Sequence, residues 1–353
     1  MTDNTKSKTP PAPMPYFEPK RRRPRFRPIE GRRSDTSRAG VLALTERDLD
    51  ILLAVATHRF LNSGQIARLF HGGRTKARLT ELFHAQYLDR PLRQRDLKIR
   101  NGELMPGGLP MVYALTTDGA RLLAEAGKLP PTATRRNWAR DNSDASRFYI
   151  GHTLAIANLR IALDESAAHQ PNVTLRHDRE LAKTIPRDFQ KHPGRAFSMT
   201  TSIIENGRRD VQTVDCDAAF ELDDTAQRRR AHFLTEIDMG TMPVIRWGMI
   251  DDPERPGRKI KAPSRKGTSI MRKLITYERA YDLELHKTLF GWPGFRVLIL
   301  TTTAARVTSI TEAIAMLNGG KGSKLFLVGT NDATNGDLLK HEFVDGWGHK
   351  KLC

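Results

Sequence analysis

The sequence predicts an α/β (α+β) chain: a small helical domain closed by a β-hairpin, then a larger unit in which strands and helices alternate. Three observations predict it. Between Thr45 and Ala85, apolar residues recur at helical spacing in three short runs, and two β-like runs follow, over residues 87–93 and 111–115. From Val214 to Gly240, apolar and acidic residues alternate, the period of strands with unlike faces. Residues 295–300 (FRVLIL) form a near-continuous apolar run, as in a strand covered on both faces.

The chain has 353 residues, room for about two domains at roughly 100–200 residues each. Its 58 Lys or Arg against 40 Asp or Glu leave a net charge of +18, which points to a polyanionic partner. Nucleic acid is favoured over a membrane surface, because no basic amphipathic helix with an aromatic face stands out. No run approaches ~18 apolar residues and no apolar segment follows the N-terminus, so neither a membrane span nor a secretory signal is expected. The two cysteines, Cys216 and Cys353, have no disulfide or zinc spacing and fit a reducing cytoplasm.

Residues 1–44 are polar and proline-rich, too poor in apolar surface to fold alone. They hold eleven Lys or Arg against four acids, a net of +7, and read as a disordered arm that binds phosphates by counterion release. Over residues 45–127, Thr45 caps a helix with Leu49, Leu52, Leu53 and Ala56 as its apolar series. Asn62 or Ser63 caps a second helix, and a third follows the His71-Gly72-Gly73 turn, with Leu79, Leu82 and Phe83 facing inward. The two β-like runs flank a segment carrying Arg93, Arg95, Lys98 and Arg100, and Thr116 then caps a last helix closed by Gly127. Three helices and a hairpin with a basic loop are the order of a winged helix-turn-helix. In that fold Arg74, Lys76 and Arg78 of the third helix would contact DNA bases or backbone, and Arg93, Arg95, Lys98 and Arg100 of the wing would contact phosphates.

Residues 128–144 read as a linker, with Trp138 free to dock on a neighbouring domain. The second domain spans residues 145–330. It opens on a helix over about 145–166, in which His152 reads as a core or interface histidine. After a strand-like run, residues 177–210 read as an irregular basic insertion, and residues 241–268 as a long basic loop. A helix over about 269–289 carries the stripe Ile270, Leu274, Tyr277, Tyr281 and Leu285, with Lys273 flanking it. The FRVLIL strand, a helix over 304–317 and a strand over 324–328 complete the unit, and residues 331–353 read as a polar tail.

The acidic hairpin organises this domain. Pairing Leu222 with Ala231 sets Asp217 opposite Glu236 and Asp215 opposite Asp238, four carboxylates on one surface. Like charges placed opposite each other destabilise a hairpin, so a hard divalent cation is the expected compensation. Tyr277 could act as a nucleophile, but its place in an apolar stripe suits a core tyrosine with a satisfied hydroxyl.

Several motifs together resemble the replication-relaxation family: LTERDLDILLAV and YALTTDGARLL in the first domain, then Asp217-Ala-Ala-Phe-Glu-Leu, Phe233-Leu-Thr-Glu236-Ile-Asp238, Lys273-Leu-Ile-Thr-Tyr277 and FRVLIL. The resemblance covers roughly residues 44–330 and extends to MobC-type relaxases and accessory proteins of mobilizable plasmids. It implies a restriction-endonuclease-like, PD-(D/E)xK fold for the second domain and nicking of origin DNA with Mg²⁺ or Mn²⁺. The implied metal ligands are Asp217, Glu236 and Asp238, with Lys273 and Tyr277 joining them as catalytic residues. Cys216 stands where that pattern has Pro, and Asp238 where it has Lys, which leaves Lys273 to supply the missing ammonium. The implied partners are double-stranded DNA at a plasmid origin and other relaxosome or replication proteins. A non-catalytic DNA-binding accessory factor with a degenerate nuclease-like domain is the alternative.

Overall fold

The computed structural model describes residues 42–100, 103–104, 110–189, 195–205, 208–251, 255, 257–263, 267–345 and 347–352. The basic arm expected over residues 1–44 lies outside these, save for its last three residues.

Helix α1 (Glu46–His58) starts where expected. The Thr45 hydroxyl accepts from the Asp48 N–H at 3.3 Å and the Asp48 carboxylate accepts from the Thr45 N–H at 2.8 Å, a reciprocal cap. Its buried face is Ile51, Leu52 and Val55, not the expected Leu49, Leu53 and Ala56, which are half-covered. Strand β1 (Leu61–Asn62) leads into α2 (Ser63–Leu69), capped by the Asn62 side chain, and then α3 (Thr75–His84) packs Leu79, Leu82 and Phe83 inward. Strand β2 (Leu88–Asp89) is shorter than the strand expected over 87–93. A 3₁₀ helix (Leu92–Lys98) and the small ladder of β3 (Ile99–Arg100) with β4 (Glu103–Leu104) replace the simple basic loop. Strand β5 (Val112–Leu115) pairs with both β1 and β2 in a three-stranded antiparallel sheet, and α4 (Thr117–Glu125) closes the domain.

The expected linker is folded. It forms a 3₁₀ turn and α5 (Trp138–Asp144), with Trp138 buried against the N-terminal core and its indole N–H donating to the Ala133 carbonyl at 3.0 Å. Helix α6 (Arg147–Ala168) then serves both domains. Ala157 and Ile161 complete the first core, while Leu159, Ala162 and Leu163 cover the large sheet. Gln65 donates to the Leu154 carbonyl and to Asn158, and Arg68 pairs with Glu165 at 2.5 Å, so the two units are joined by a wide contact.

The remaining elements in chain order are β6 (Val173–His177), α7 (Asp178–Leu181), β7 (Ser198–Glu205), β8 (Arg208–Asp215), β9 (Ala218–Asp224), β10 (Arg229–Ile237), β11 (Trp247–Asp251), β12 (Lys259–Pro263), α8 (Ile270–Asp282), α9 (Leu285–Phe290), β13 (Arg296–Thr301), α10 (Ala304–Leu317), β14 (Phe326–Thr330), β15 (Phe343–Val344) and β16 (His349–Lys350). The main sheet has seven strands in the order β16-β15-β14-β13-β10-β9-β6. Strands β10, β13 and β14 run parallel, and the other neighbours are antiparallel. Parallel neighbours need crossovers, which α8–α9 and α10 provide. Helices α8 and α10 cover one face over Leu234, Val297, Ile299 and Val328, and α6 covers the other over Phe220, Leu298 and Leu300. The chain is thus a mixed α+β protein.

Four expectations for this unit are corrected. Residues 177–210 are not an irregular insertion: β7 and β8 form a hairpin whose Met199 and Val214 reach the core. Residues 241–268 are not one long loop but carry the β11–β12 hairpin. The helix expected over 269–289 breaks at Glu284, which takes a left-handed conformation (φ 51°) between α8 and α9. The polar tail adds β15 and β16 to the sheet edge and buries Leu338, Phe343 and Leu352.

Candidate functional site

The candidate side chains gather at the carboxyl ends of the parallel strands, the position where ligands bind in open α/β sheets. The register anticipated for the hairpin holds, with Leu222 opposite Ala231, but the ladder ends at Ala218 opposite Thr235. The chain breaks at Cys216–Asp217, and Asp215 belongs to β8, opposite Ser198. Asp215 therefore does not face Asp238, and the four-carboxylate surface does not form.

Asp217 folds back over the end of β10. Its N–H donates to the Thr235 carbonyl at 2.8 Å and its Oδ2 accepts from the Ile237 N–H at 2.8 Å. His152 on α6 places Nε2 3.1 Å from the same Oδ2, and the Asp217 carboxylate raises the imidazole pKa despite partial burial. Glu236, the penultimate residue of β10, is 5% exposed. One oxygen accepts from the Lys273 ammonium and the other from the Tyr277 hydroxyl at 2.6 Å. Burial pushes the Glu236 pKa up against the pull of Lys273. Burial opposes the charge on Lys273, yet Glu236 and then Asp217 hold its ammonium protonated. Lys273 and Tyr277 lie four residues apart on α8, so one helix face delivers both to the same carboxylate.

Asp238 belongs to a different network. It accepts from Thr301 at 2.6 Å, from two nitrogens of Arg306 and from the Gly240 N–H at 3.1 Å. Burial works against its charge, but Arg306 and Thr301 hold its carboxyl below the usual range. Gly240 has φ 74°, the left-handed conformation that lets its N–H return to Asp238. The spacing Glu236-x-Asp238 puts both acids on one strand face, but Asp238 is consumed in joining the end of β10 to α10.

Asp217, Glu236, Lys273 and His152 line one cleft of about 310 Å³, rimmed by Phe148 and Tyr149. The expected metal set is reduced accordingly. Among the described residues there is no group of three His, Cys, Asp or Glu side chains that could hold a metal ion. Asp217, Glu236 and Asp238 all line the cleft, but Thr301 and Arg306 occupy Asp238, and Mg²⁺ is commonly held by one or two carboxylates together with substrate phosphates. Asp217 and Glu236 are the oxygen donors that would hold Mg²⁺ or Mn²⁺ in that form, and Lys273 and Tyr277 already bond both Glu236 oxygens. Tyr277 is 1% exposed, and burial followed by Glu236 pushes its hydroxyl well above the ordinary tyrosine value. It is a donor to Glu236, as the apolar stripe suggested, and is not placed as a nucleophile.

The expected DNA-contact residues divide. Arg74, at the start of α3, and Lys76, in its first turn, are exposed. Arg78 instead grips the buried Asp48 through Nε at 2.7 Å and Nη2 at 2.6 Å, pairs with Glu81 at 2.8 Å and donates to the Ala43 carbonyl. It pins α3 to α1 and leaves the DNA-contact set. Arg93 and Arg95 lie exposed on the 3₁₀ helix, away from any simple wing loop. The side chains of Lys98 and Arg100 lie outside the described residues. The roles of His152 and Arg306 escape sequence reasoning: neither has a sequence neighbour that marks it, and each acquires its partner only when a distant helix packs on the sheet.

A family model described as replication-relaxation matches residues 52–249, more than half of the 353-residue chain. Lys273, Tyr277 and the FRVLIL strand lie beyond the matched segment. No curated protein and no solved structure matches the chain.

Proposed function

The chain belongs to the replication-relaxation family, and from that premise we propose that it binds double-stranded DNA at a plasmid origin and nicks one strand there, in replication or mobilization. One observation carries the cleavage reading: α8 brings Lys273 to Glu236, beside Asp217, in a cleft at the carboxyl end of the sheet. The strand lacks a lysine after the acidic pair, and the helix supplies one. No described helix is long and apolar enough to cross a membrane.

The side chains have separable tasks. The Lys273 ammonium offsets charge on a phosphate drawn into the cleft, and its partners keep it protonated. Tyr277 and Lys273 fix both oxygens of Glu236, and the Ile237 N–H with His152 fixes Asp217, so the two carboxylates are oriented before substrate arrives. Mg²⁺ or Mn²⁺ held by Asp217 and Glu236 would supply a more acidic water and further charge neutralisation. On the N-terminal domain, exposed Arg74 and Lys76 at the start of α3 suit contact with the duplex, in keeping with a winged-helix reading.

A second reading, a non-catalytic origin-binding factor, is favoured by one feature: every one of the three acids already has a basic side chain beside it, His152, Lys273 or Arg306. Supercoiled plasmid carrying the cognate origin separates the two. Open circles formed with Mg²⁺ or Mn²⁺ and absent with EDTA support nicking. Binding without open circles in any of these conditions favours the second reading and overturns the first.

A further inference from the structure

The cleft presents two aromatic rings to solvent beside its charged groups. Phe148 and Tyr149, in the first turn of α6, are 56% and 49% exposed and line the same cleft as Asp217, Glu236 and Lys273. They are held in place. The Tyr149 ring stands edge-on to buried Phe60, with centroids 5.9 Å apart, and the Arg147 guanidinium lies 4.6 Å over the Phe148 ring. Adjacent exposed aromatics at a charged cleft mark a binding surface more than a packing need.

The other side of Asp217 is basic. Asp217 also lines a second, larger cavity of about 1030 Å³, whose walls include Arg179, Lys183, Arg187 and Arg195. All four are exposed; Asp178 and Asp215 also line the cavity, Arg195 lies 3.6 Å from Asp215, and the cations outnumber the acids. Asp217 is therefore the shared wall between an aromatic ledge and a cationic trough. A cleft of about 310 Å³ is on the scale of one nucleotide, not of a duplex. A row of cations that tracks a backbone, ending at rings that stack bases, is the physical recipe for holding an unpaired strand.

We propose that the cleft and trough hold a single unpaired DNA strand, with Phe148 and Tyr149 stacking bases and Arg179, Lys183, Arg187 and Arg195 along its phosphates, so that the backbone between them lies at Asp217. This rests on the reading of the cleft as a DNA-processing site and adds the state of its substrate: the duplex is bound elsewhere and opened before this cleft engages it. The cost of unpairing is offset by stacking of the unpaired bases on the two rings.

The test is anisotropy titration of the full chain with labelled single-stranded DNA, duplex DNA and single-stranded RNA at several salt concentrations. The expected result is that F148A/Y149A weakens single-strand binding tenfold or more and changes duplex binding less than twofold. The second variant, K183Q/R187Q, is expected to lower the log–log salt slope for single strands by about 1.4, at about 0.7 for each phosphate that is no longer neutralised. Both pairs are exposed, and unchanged unfolding midpoints confirm that the variants fold. Single-strand binding that is absent, or unmoved by both variants, while duplex binding persists overturns this inference alone. Tighter binding of RNA than DNA overturns DNA as the occupant. Failure to bind either DNA overturns this inference and the DNA reading together.

Discussion

Arg78→Met separates packing from recognition on α3. Sequence position groups Arg78 with Arg74 and Lys76 as a DNA contact, but its guanidinium makes a two-point ion pair with Asp48. The Asp48 side chain is 2% exposed and that of Arg78 22%. Removing one partner of a buried pair strands the other charge, at a cost of about 3–5 kcal/mol. Asp48 keeps its bonds from the Thr45 N–H and hydroxyl, and Arg78 is partly solvated, so about 2–3 kcal/mol is expected here. Methionine retains the aliphatic stem, which isolates the charge. Burial alone would raise the Asp48 pKa, but the bonds from Arg78 and Thr45 bring it below the ordinary value. A depressed carboxyl stabilises above its unfolded pKa, about 3.9, and that contribution is lost as pH falls through the folded pKa. Urea unfolding should therefore show the full penalty at pH 7 and a smaller one at pH 3. Duplex binding measured well below the unfolding midpoint should keep the wild-type salt slope. In contrast, Arg74→Ala and Lys76→Ala should leave stability within about 0.5 kcal/mol and each lower the slope by about 0.9. A lowered slope in Arg78→Met, or a penalty below about 1 kcal/mol at pH 7, would refute this reasoning.

Three further outcomes follow from the same geometry. Lys273→Met should reduce nicking by at least a hundredfold while duplex affinity stays within threefold, as read from open-circle formation and band shifts; equal losses in both would remove Lys273 from the chemistry. Tyr277→Phe should retain nicking within about tenfold, and denaturing gels should show no protein–DNA adduct in wild type; a Tyr277-dependent adduct would restore the nucleophile reading. Deleting residues 1–41 should weaken binding to all DNA sequences alike and flatten the salt dependence, and an unchanged slope would show that the arm touches no phosphate.

Much of the fold is legible in the sequence because local rules agree with it. The Thr45 and Asn62 caps, the Leu79-Leu82-Phe83 stripe and the apolar FRVLIL run each name their element without help from distant residues. The register of β9 with β10 is legible too, because a period of two leaves few pairings that keep Phe220 and Phe233 on one side; their rings stack 4.7 Å apart. The site is legible in part. Helix periodicity puts Lys273 and Tyr277 one turn apart, the family resemblance sets them beside Glu236, and the structure joins all three by hydrogen bonds. Alternation cannot show that the strand breaks at Asp217, since a break changes no residue type and Val214 continues the same apolar rhythm. Asp238 and Arg78 mislead for one reason: a charged residue at regular spacing looks solvated until a distant partner, Arg306 or Asp48, folds onto it. Short strands at the sheet edges, such as β15 and β16, carry too few residues to show any period.

The central claim is that Asp217 and Glu236 form the working pair of a strand-nicking site. The most direct measurement is open-circle formation from supercoiled origin plasmid, with Mn²⁺, by Asp217→Asn and Glu236→Gln, each checked for a native unfolding transition. Wild type is expected to nick, and both variants, though folded and bound to DNA, are expected not to. Folded variants that nick at the wild-type rate would contradict it.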